Sequence, residues 1–174
     1  MMKTTANKIT MLRIFLIPVF LVLAYLGQLY WALAVYIIAC LSDMVDGYIA
    51  RHYNQVSDFG KFMDPLADKM LVLAAMCYFI EAGQMPGWCV AAVLFREFAV
   101  SGLRLIAVEQ GRVIAAAWSG KLKTGCTMVG LAAMLLFSEV ELVNIIFTAL
   151  ILITTVGSGI HYFWVNRDVF KAAD

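Results

Sequence analysis

Apolar residues fill six stretches of the chain, with short polar segments between them. Each stretch has about 20 residues, enough for a helix to cross the hydrocarbon core of a bilayer. Turn-forming residues such as Gln28, Gly83, Pro86 and Gly111 separate the stretches. The pattern predicts an all-α integral membrane protein with six transmembrane helices, the first of them kinked at Pro18. The predicted limits are 9–27, 31–50, 62–82, 87–107, 122–138 and 142–164.

Composition agrees with this pattern. Of the 174 residues, 63% are hydrophobic and 14% charged, whereas soluble domains are about half apolar and a quarter charged. Mean hydropathy is +0.86, and the net charge of +1 offers no field that would attract nucleic acid. The basic N-terminus resembles a signal peptide, but no small-residue cleavage site follows it, so we expect a retained first helix. We expect residues 1–174 to form a single membrane-embedded domain.

The distribution of Lys and Arg predicts the orientation. In a six-helix arrangement, every basic residue lies on or toward one side, and the connections on the other side carry only acidic charges, at Glu81, Glu139 and Glu141. Basic connections face the cytoplasm. We therefore expect a multi-pass protein of the cytoplasmic (inner) membrane, with both termini and the site described next on the cytoplasmic side.

Four aspartates, Asp43, Asp46, Asp64 and Asp68, fall in the second and third stretches. A carboxylate inside a membrane helix costs about 2.5–3.5 kcal/mol, so such residues usually face a polar cavity and mark function. The first two are three residues apart and the last two are four apart, which places each pair on one face of its helix. A short connection makes the two helices antiparallel neighbours, so the pairs are expected to converge.

Carboxylates gathered so closely repel one another unless cations lie between them. Oxygen-loving divalent metals suit this set, and we expect two ions, Mg²⁺ or alternatively Mn²⁺, clamping a phosphoryl group. Gly47 leaves room for a ligand, and Arg51 can pair with a phosphate. Three other interpretations of these aspartates stay open. They are ordinary charges at helix ends, an ion path through a divalent-cation transporter, and a non-catalytic subunit of a membrane assembly.

The segment from Asp43 to Asp68 fits the pattern D-x2-D-G-x2-A-R-x8-G-x3-D-x3-D at every specified position. It resembles the motif of the CDP-alcohol phosphotransferases, and the six-helix layout resembles that family over nearly the whole chain. The resemblance implies that the family's fold is present, that a CDP-linked lipid is the donor and that the protein forms a homodimer. The implied reaction is attack by an alcohol on the phosphorus attached to the lipid, with CMP as the leaving group.

The resemblance also implies a role for each matching residue. Asp43, Asp46 and Asp64 would hold the two metals, and Asp68 would contact one of them and act as the general base on the acceptor hydroxyl. Gly47, Arg51 and Ser57 would contact the CDP moiety. Asn7 and Thr10 fit a nucleotide contact loosely, and helix capping explains them equally well.

Cations in the second half of the chain bear on the acceptor. Arg96, Arg104, Lys121 and Lys123 are expected to line a pocket for a phosphate carried by the acceptor, although snorkelling to lipid headgroups is an alternative for such residues. The stretches Arg-Glu-Phe-Ala-Val-Ser-Gly-Leu-Arg and Gly-Lys-Leu-Lys-Thr resemble the bacterial branch of the family that makes phosphatidylglycerol phosphate from CDP-diacylglycerol and glycerol 3-phosphate. Inositol phosphate is the alternative acceptor.

Overall fold

The computed structural model describes the backbone of residues 5–52, 58–115 and 117–171, and the side chains of residues 9–42, 63, 66–115 and 117–169. Over these ranges the chain is helical, without strands, which confirms the predicted all-α fold. Each of the six apolar stretches corresponds to one long helix. The helices are α1 (Thr5–Tyr25), α2 (Leu29–His52), α3 (Asp58–Glu81), α4 (Gly87–Glu109), α5 (Trp118–Leu136), α6 (Glu141–Val165) and the short α7 (Asp168–Lys171).

Three of the connections end a helix in the same way. Gly27, Gly83 and Gly111 have φ values of 74°, 70° and 72°, a left-handed conformation that glycine adopts without a steric penalty. The amide of the residue after each glycine donates to the carbonyl five residues earlier, at 2.8–2.9 Å, and so satisfies a carbonyl that the helix leaves free. These glycines therefore stop α1, α3 and α4 where the sequence predicted turns.

Close packing joins the long helices. Helix α1 packs along α2 and α3, α5 packs against α2 and α6, and α4 packs against α6. Phe20 of α1 and Tyr36 of α2 are almost fully buried, with ring centroids 5.8 Å apart. Alanines at the contacts, among them Ala32 and Ala39, are completely buried and let the helix axes approach closely, as is common between helices in membranes.

Only part of the chain meets a strict test for a membrane-spanning helix. Among the described residues, Glu141–Val165 is long and apolar enough, whereas Ile9–Tyr25 and Leu29–Ser42 are apolar but shorter. Helices α4 and α5 carry ionic side chains within their length, including Glu97 and Lys123. The number of spans therefore stays a prediction, while the all-helical architecture is observed.

Candidate active site

The motif residues occupy two helices that contact each other. Asp43 and Asp46 lie in the C-terminal half of α2, and Asp64 and Asp68 lie in the first half of α3. Gly47 and Arg51 also lie in α2, as the helical spacing predicted. The side chains of all these residues except Asp68 lie outside the described residues, and Ser57 lies outside them entirely.

A cavity of about 170 Å³ lies between α3, α4 and α5. Asp68 and Lys69 of α3 line it, together with Glu97 of α4 and Lys123 and Thr124 of α5. The remaining lining is mostly apolar. This cavity places the predicted general base beside two ammonium groups, a combination suited to accepting a proton from an anionic molecule and holding that molecule's charge.

Glu97 is the centre of an ion cluster at this cavity. Its Oε1 accepts a hydrogen bond from Arg96 at 2.9 Å and another from Lys123 Nζ at 3.0 Å. Its Oε2 lies 3.7 Å from Lys69 Nζ, which also donates to Ser101 Oγ at 3.4 Å. One carboxylate thus links cations from three helices.

The four predicted acceptor-phosphate cations separate into two groups. Lys123 is 7% exposed and lines the cavity with Asp68, and Arg96 reaches the same cluster through Glu97. Arg104 instead donates from Nε to the hydroxyl of Tyr162 at 2.8 Å, and its guanidinium lies over that ring. Lys121 is exposed and lines a separate groove beside α6. The structure therefore places Lys123 in the cavity with Asp68, joins Arg96 to that cavity only through Glu97, and places Arg104 and Lys121 elsewhere.

Gly159 leaves room for Arg96, and Gly120 lies beside its guanidinium. A Cβ atom at Gly159 of α6 would lie 3.2 Å from Arg96 Cγ, and one at Gly120 of α5 would lie 3.6 Å from a terminal guanidinium nitrogen. The arginine therefore runs between α5 and α6 before its guanidinium turns toward Glu97. The close approach at Gly159 holds the side chain within the helix bundle, and only 12% of that side chain is exposed.

Helix α1 brings a cation that the sequence analysis treated only as a marker of orientation. Arg13 is completely buried, and its Nε donates to Ser42 Oγ at 3.2 Å, one residue before Asp43. Thr10, one turn earlier, is also completely buried, whereas the side chain of Asn7 lies outside the described residues. The high cost of an arginine in an apolar helix is a signal that would have identified Arg13 as a site residue.

Lys69 and Glu97 are two further site residues that the sequence pattern did not identify. Lys69 directly follows Asp68, one residue beyond the motif, and in the sequence it is one of the basic residues that indicate the orientation. Its place in the cavity depends on the packing of α4 and α5 against α3, which no local pattern reveals.

Comparison with known proteins gives the family. The sequence profile of the CDP-alcohol phosphatidyltransferases matches residues 3–167. A "CDP-diacylglycerol--glycerol-3-phosphate 3-phosphatidyltransferase" of Bacillus subtilis is 40% identical, over 97% of both chains. A "Probable phosphatidylglycerophosphate synthase" of Mycobacterium tuberculosis is 35% identical over 90% of this chain and 78% of its own. An Escherichia coli protein with the same name as the Bacillus relative is 38% identical over 73% of this chain and 74% of its own. The chain belongs to the CDP-alcohol phosphatidyltransferase family.

Proposed function

We propose that this protein transfers a phosphatidyl group from CDP-diacylglycerol to glycerol 3-phosphate, giving phosphatidylglycerol phosphate and CMP. The observation that carries the proposal is the cavity shared by Asp68, Lys69 and Lys123, which joins a candidate base to cations for a phosphate. The names of the Bacillus and Escherichia coli relatives contain the same donor and acceptor. An uncharged alcohol or a cationic one such as choline would leave the positive charge of the cluster balanced only in part, by Glu97.

In the proposed reaction, the cations of the cavity bind the acceptor and Asp68 takes up its proton. The acceptor's phosphate pairs with the cations on α3 and α5, which turns its free hydroxyl toward Asp68. Asp68 removes the hydroxyl proton as the oxygen attacks the phosphorus that bears diacylglycerol. The bond from that phosphorus to the oxygen of CMP breaks, and CMP leaves with its own phosphate. One phosphorus–oxygen bond forms and one breaks, and the proton resides on Asp68 until solvent takes it.

The donor set fits divalent metal ions. Asp43 and Asp46 lie in α2 and Asp64 and Asp68 lie in α3, and these helices contact each other. Carboxylate oxygens are the ligands that Mg²⁺ and Mn²⁺ prefer. We assign the four aspartates to two such ions, which when bound would neutralise negative charge on the diphosphate. Gly47, Arg51 and Ser57 are assigned to the CDP moiety, together with Asn7 and Thr10 of α1.

The bilayer placement is part of the proposal. Six membrane-spanning helices, the cytoplasmic membrane and a cytoplasmic site follow from the basic connections and from the apolar exterior of the described helices. Phe95, Leu105, Ile153 and Trp164 are between 68% and 78% exposed, which suits contact with lipid rather than water. A homodimer is proposed from the family resemblance, and residues 1–174 are treated as one catalytic domain.

The test is a CMP-release assay on the purified protein in detergent, with Mg²⁺, CDP-diacylglycerol and a panel of acceptors. Glycerol 3-phosphate should release CMP, whereas glycerol and choline should not. Release with inositol phosphate alone would move the acceptor to the alternative. If no phosphorylated alcohol releases CMP, and metal ions enter liposomes containing the protein, the transporter interpretation replaces this one.

A further inference from the structure

The ion cluster around Glu97 has a net charge that can be counted. Lys69, Arg96 and Lys123 contribute three positive charges and Glu97 one negative charge, which leaves two positive charges in the cluster. The carboxylate of Asp68, which lines the same cavity, is counted with the metal ions assigned to it. A phosphate monoester carries about 1.5 to 2 negative charges at neutral pH. The cluster and a phosphorylated acceptor are therefore close to charge balance when Glu97 remains in place.

The geometry of the cluster also limits how its cations can move. The side chains of Lys123, Arg96 and Glu97 are 7%, 12% and 20% exposed, whereas that of Lys69 is 41% exposed. Lys123 comes from α5 and Lys69 from α3, and both converge on one carboxylate of α4. Without Glu97, three like charges at close range would repel one another, and the long lysine side chains would adopt other rotamers.

We propose that Glu97 is a positioning residue for the acceptor. It holds Lys69 and Lys123 at the cavity and sets the charge that matches a phosphate dianion, an inference that rests on the proposed function. Glu97 itself does not touch the reacting atoms. The carboxylate keeps the two ammonium groups convergent before the acceptor arrives, so less ordering is needed on binding.

Two other roles for Glu97 predict different behaviour. A purely structural ion pair would stabilise the packing of α3, α4 and α5 and leave acceptor affinity unchanged. A competing anion would occupy the place of the phosphate, so that its neutralisation would tighten acceptor binding. The positioning role predicts weaker acceptor binding when the carboxylate is lost, with donor binding unaffected.

The experiment compares wild type, Glu97→Gln and Glu97→Asp as full-length proteins in detergent. The control is Glu109→Gln, which makes the same change at an exposed position near the end of the same helix. In Glu97→Gln, KM for glycerol 3-phosphate should rise about tenfold or more, the range expected for losing a charge-assisted hydrogen bond. The KM of Glu97→Gln for CDP-diacylglycerol should stay near the wild-type value. The Glu109→Gln control should have wild-type KM values for both substrates. Glu97→Asp keeps the charge on a shorter side chain and should recover part of the affinity.

A second readout needs no turnover. Glycerol 3-phosphate should raise the Tm of the wild type, because a ligand that binds the folded protein stabilises it. At the same concentration it should raise the Tm of Glu97→Gln much less. An equal Tm shift in the two proteins, or a KM that is unchanged or lower in Glu97→Gln, overturns the positioning role. If the wild type releases no CMP with any acceptor, the proposed function fails, while the Tm comparison still decides whether Glu97 organises a phosphate site.

Discussion

Arg13 and Ser42 join α1 to α2 immediately before the first motif aspartate. The Arg13 guanidinium is completely buried, and its Nε lies 3.2 Å from Ser42 Oγ, which itself donates to the carbonyl of Ala39 at 2.7 Å. A buried guanidinium keeps its charge and so requires polar partners around it. This contact therefore ties the start of the motif to the first helix.

Removing the hydroxyl at this contact should weaken the protein. Ser42→Ala leaves the buried Arg13 Nε without this acceptor, and we expect a loss of about 1.5–3 kcal/mol of stability, the usual range for a hydrogen bond to a charged group. A lowered Tm in detergent would measure it. The control is Ser119→Ala, which removes a hydroxyl bonded to His161 at an exposed contact. Equal Tm values for Ser42→Ala and wild type would show that the contact contributes nothing measurable.

Replacing the proposed general base should abolish the reaction without unfolding the protein. Asp68→Asn keeps the size of the side chain and removes its ability to accept the proton, so we expect CMP release to fall by about 10²–10⁴-fold. The matched control is Asp168→Asn, at the exposed first residue of α7, which should retain wild-type activity. If Asp68→Asn keeps more than a tenth of the wild-type rate, another group is the base.

The two lysines of α5 should differ sharply in their effects. Lys123 lines the cavity with Asp68, whereas Lys121, two residues earlier, is exposed on a separate groove. Lys123→Met should raise KM for glycerol 3-phosphate about tenfold or more, since a charge-assisted contact is lost. Lys121→Met should change it less than about twofold, because surface charges away from a site contribute little. Equal effects from the two substitutions would contradict the assignment of the acceptor site to this cavity.

Helical periodicity predicts much of this molecule, because apolar stretches and turn residues act locally. The six long helices and the placement of the aspartates on α2 and α3 follow from spacing alone. Spacing alone does not show which of the predicted cations reaches the cavity. Arg96 and Arg104 share a helix face in projection, but eight residues separate them by about 12 Å along the axis, so they contact different neighbours. Only the tertiary arrangement shows that Glu97 of α4 joins Lys123 of α5 and that Arg104 of α4 joins Tyr162 of α6.

Removing divalent metal should stop the reaction reversibly. The four aspartates lie on two contacting helices, and without cations their charges would repel one another and the diphosphate of the donor. EDTA followed by dialysis should abolish CMP release, and added Mg²⁺ or Mn²⁺ should restore it. Asp64→Asn should need more Mg²⁺ for half-maximal activity than the wild type does, or should remain inactive. Full activity after chelation, with no metal remaining by elemental analysis, would rule out the metal assignment.

The proposed orientation can be tested by labelling single cysteines. The α4–α5 connection is basic and the α5–α6 connection is acidic, so the positive-inside rule places the first in the cytoplasm and the second outside. Val113, which is 90% exposed, and Glu139 are suitable positions in these two connections. In an active variant with Cys40, Cys77, Cys89 and Cys126 replaced, an impermeant maleimide should label Glu139→Cys on intact spheroplasts. Val113→Cys should react only after permeabilisation. The reverse pattern would place the site outside the cell and contradict the proposed orientation.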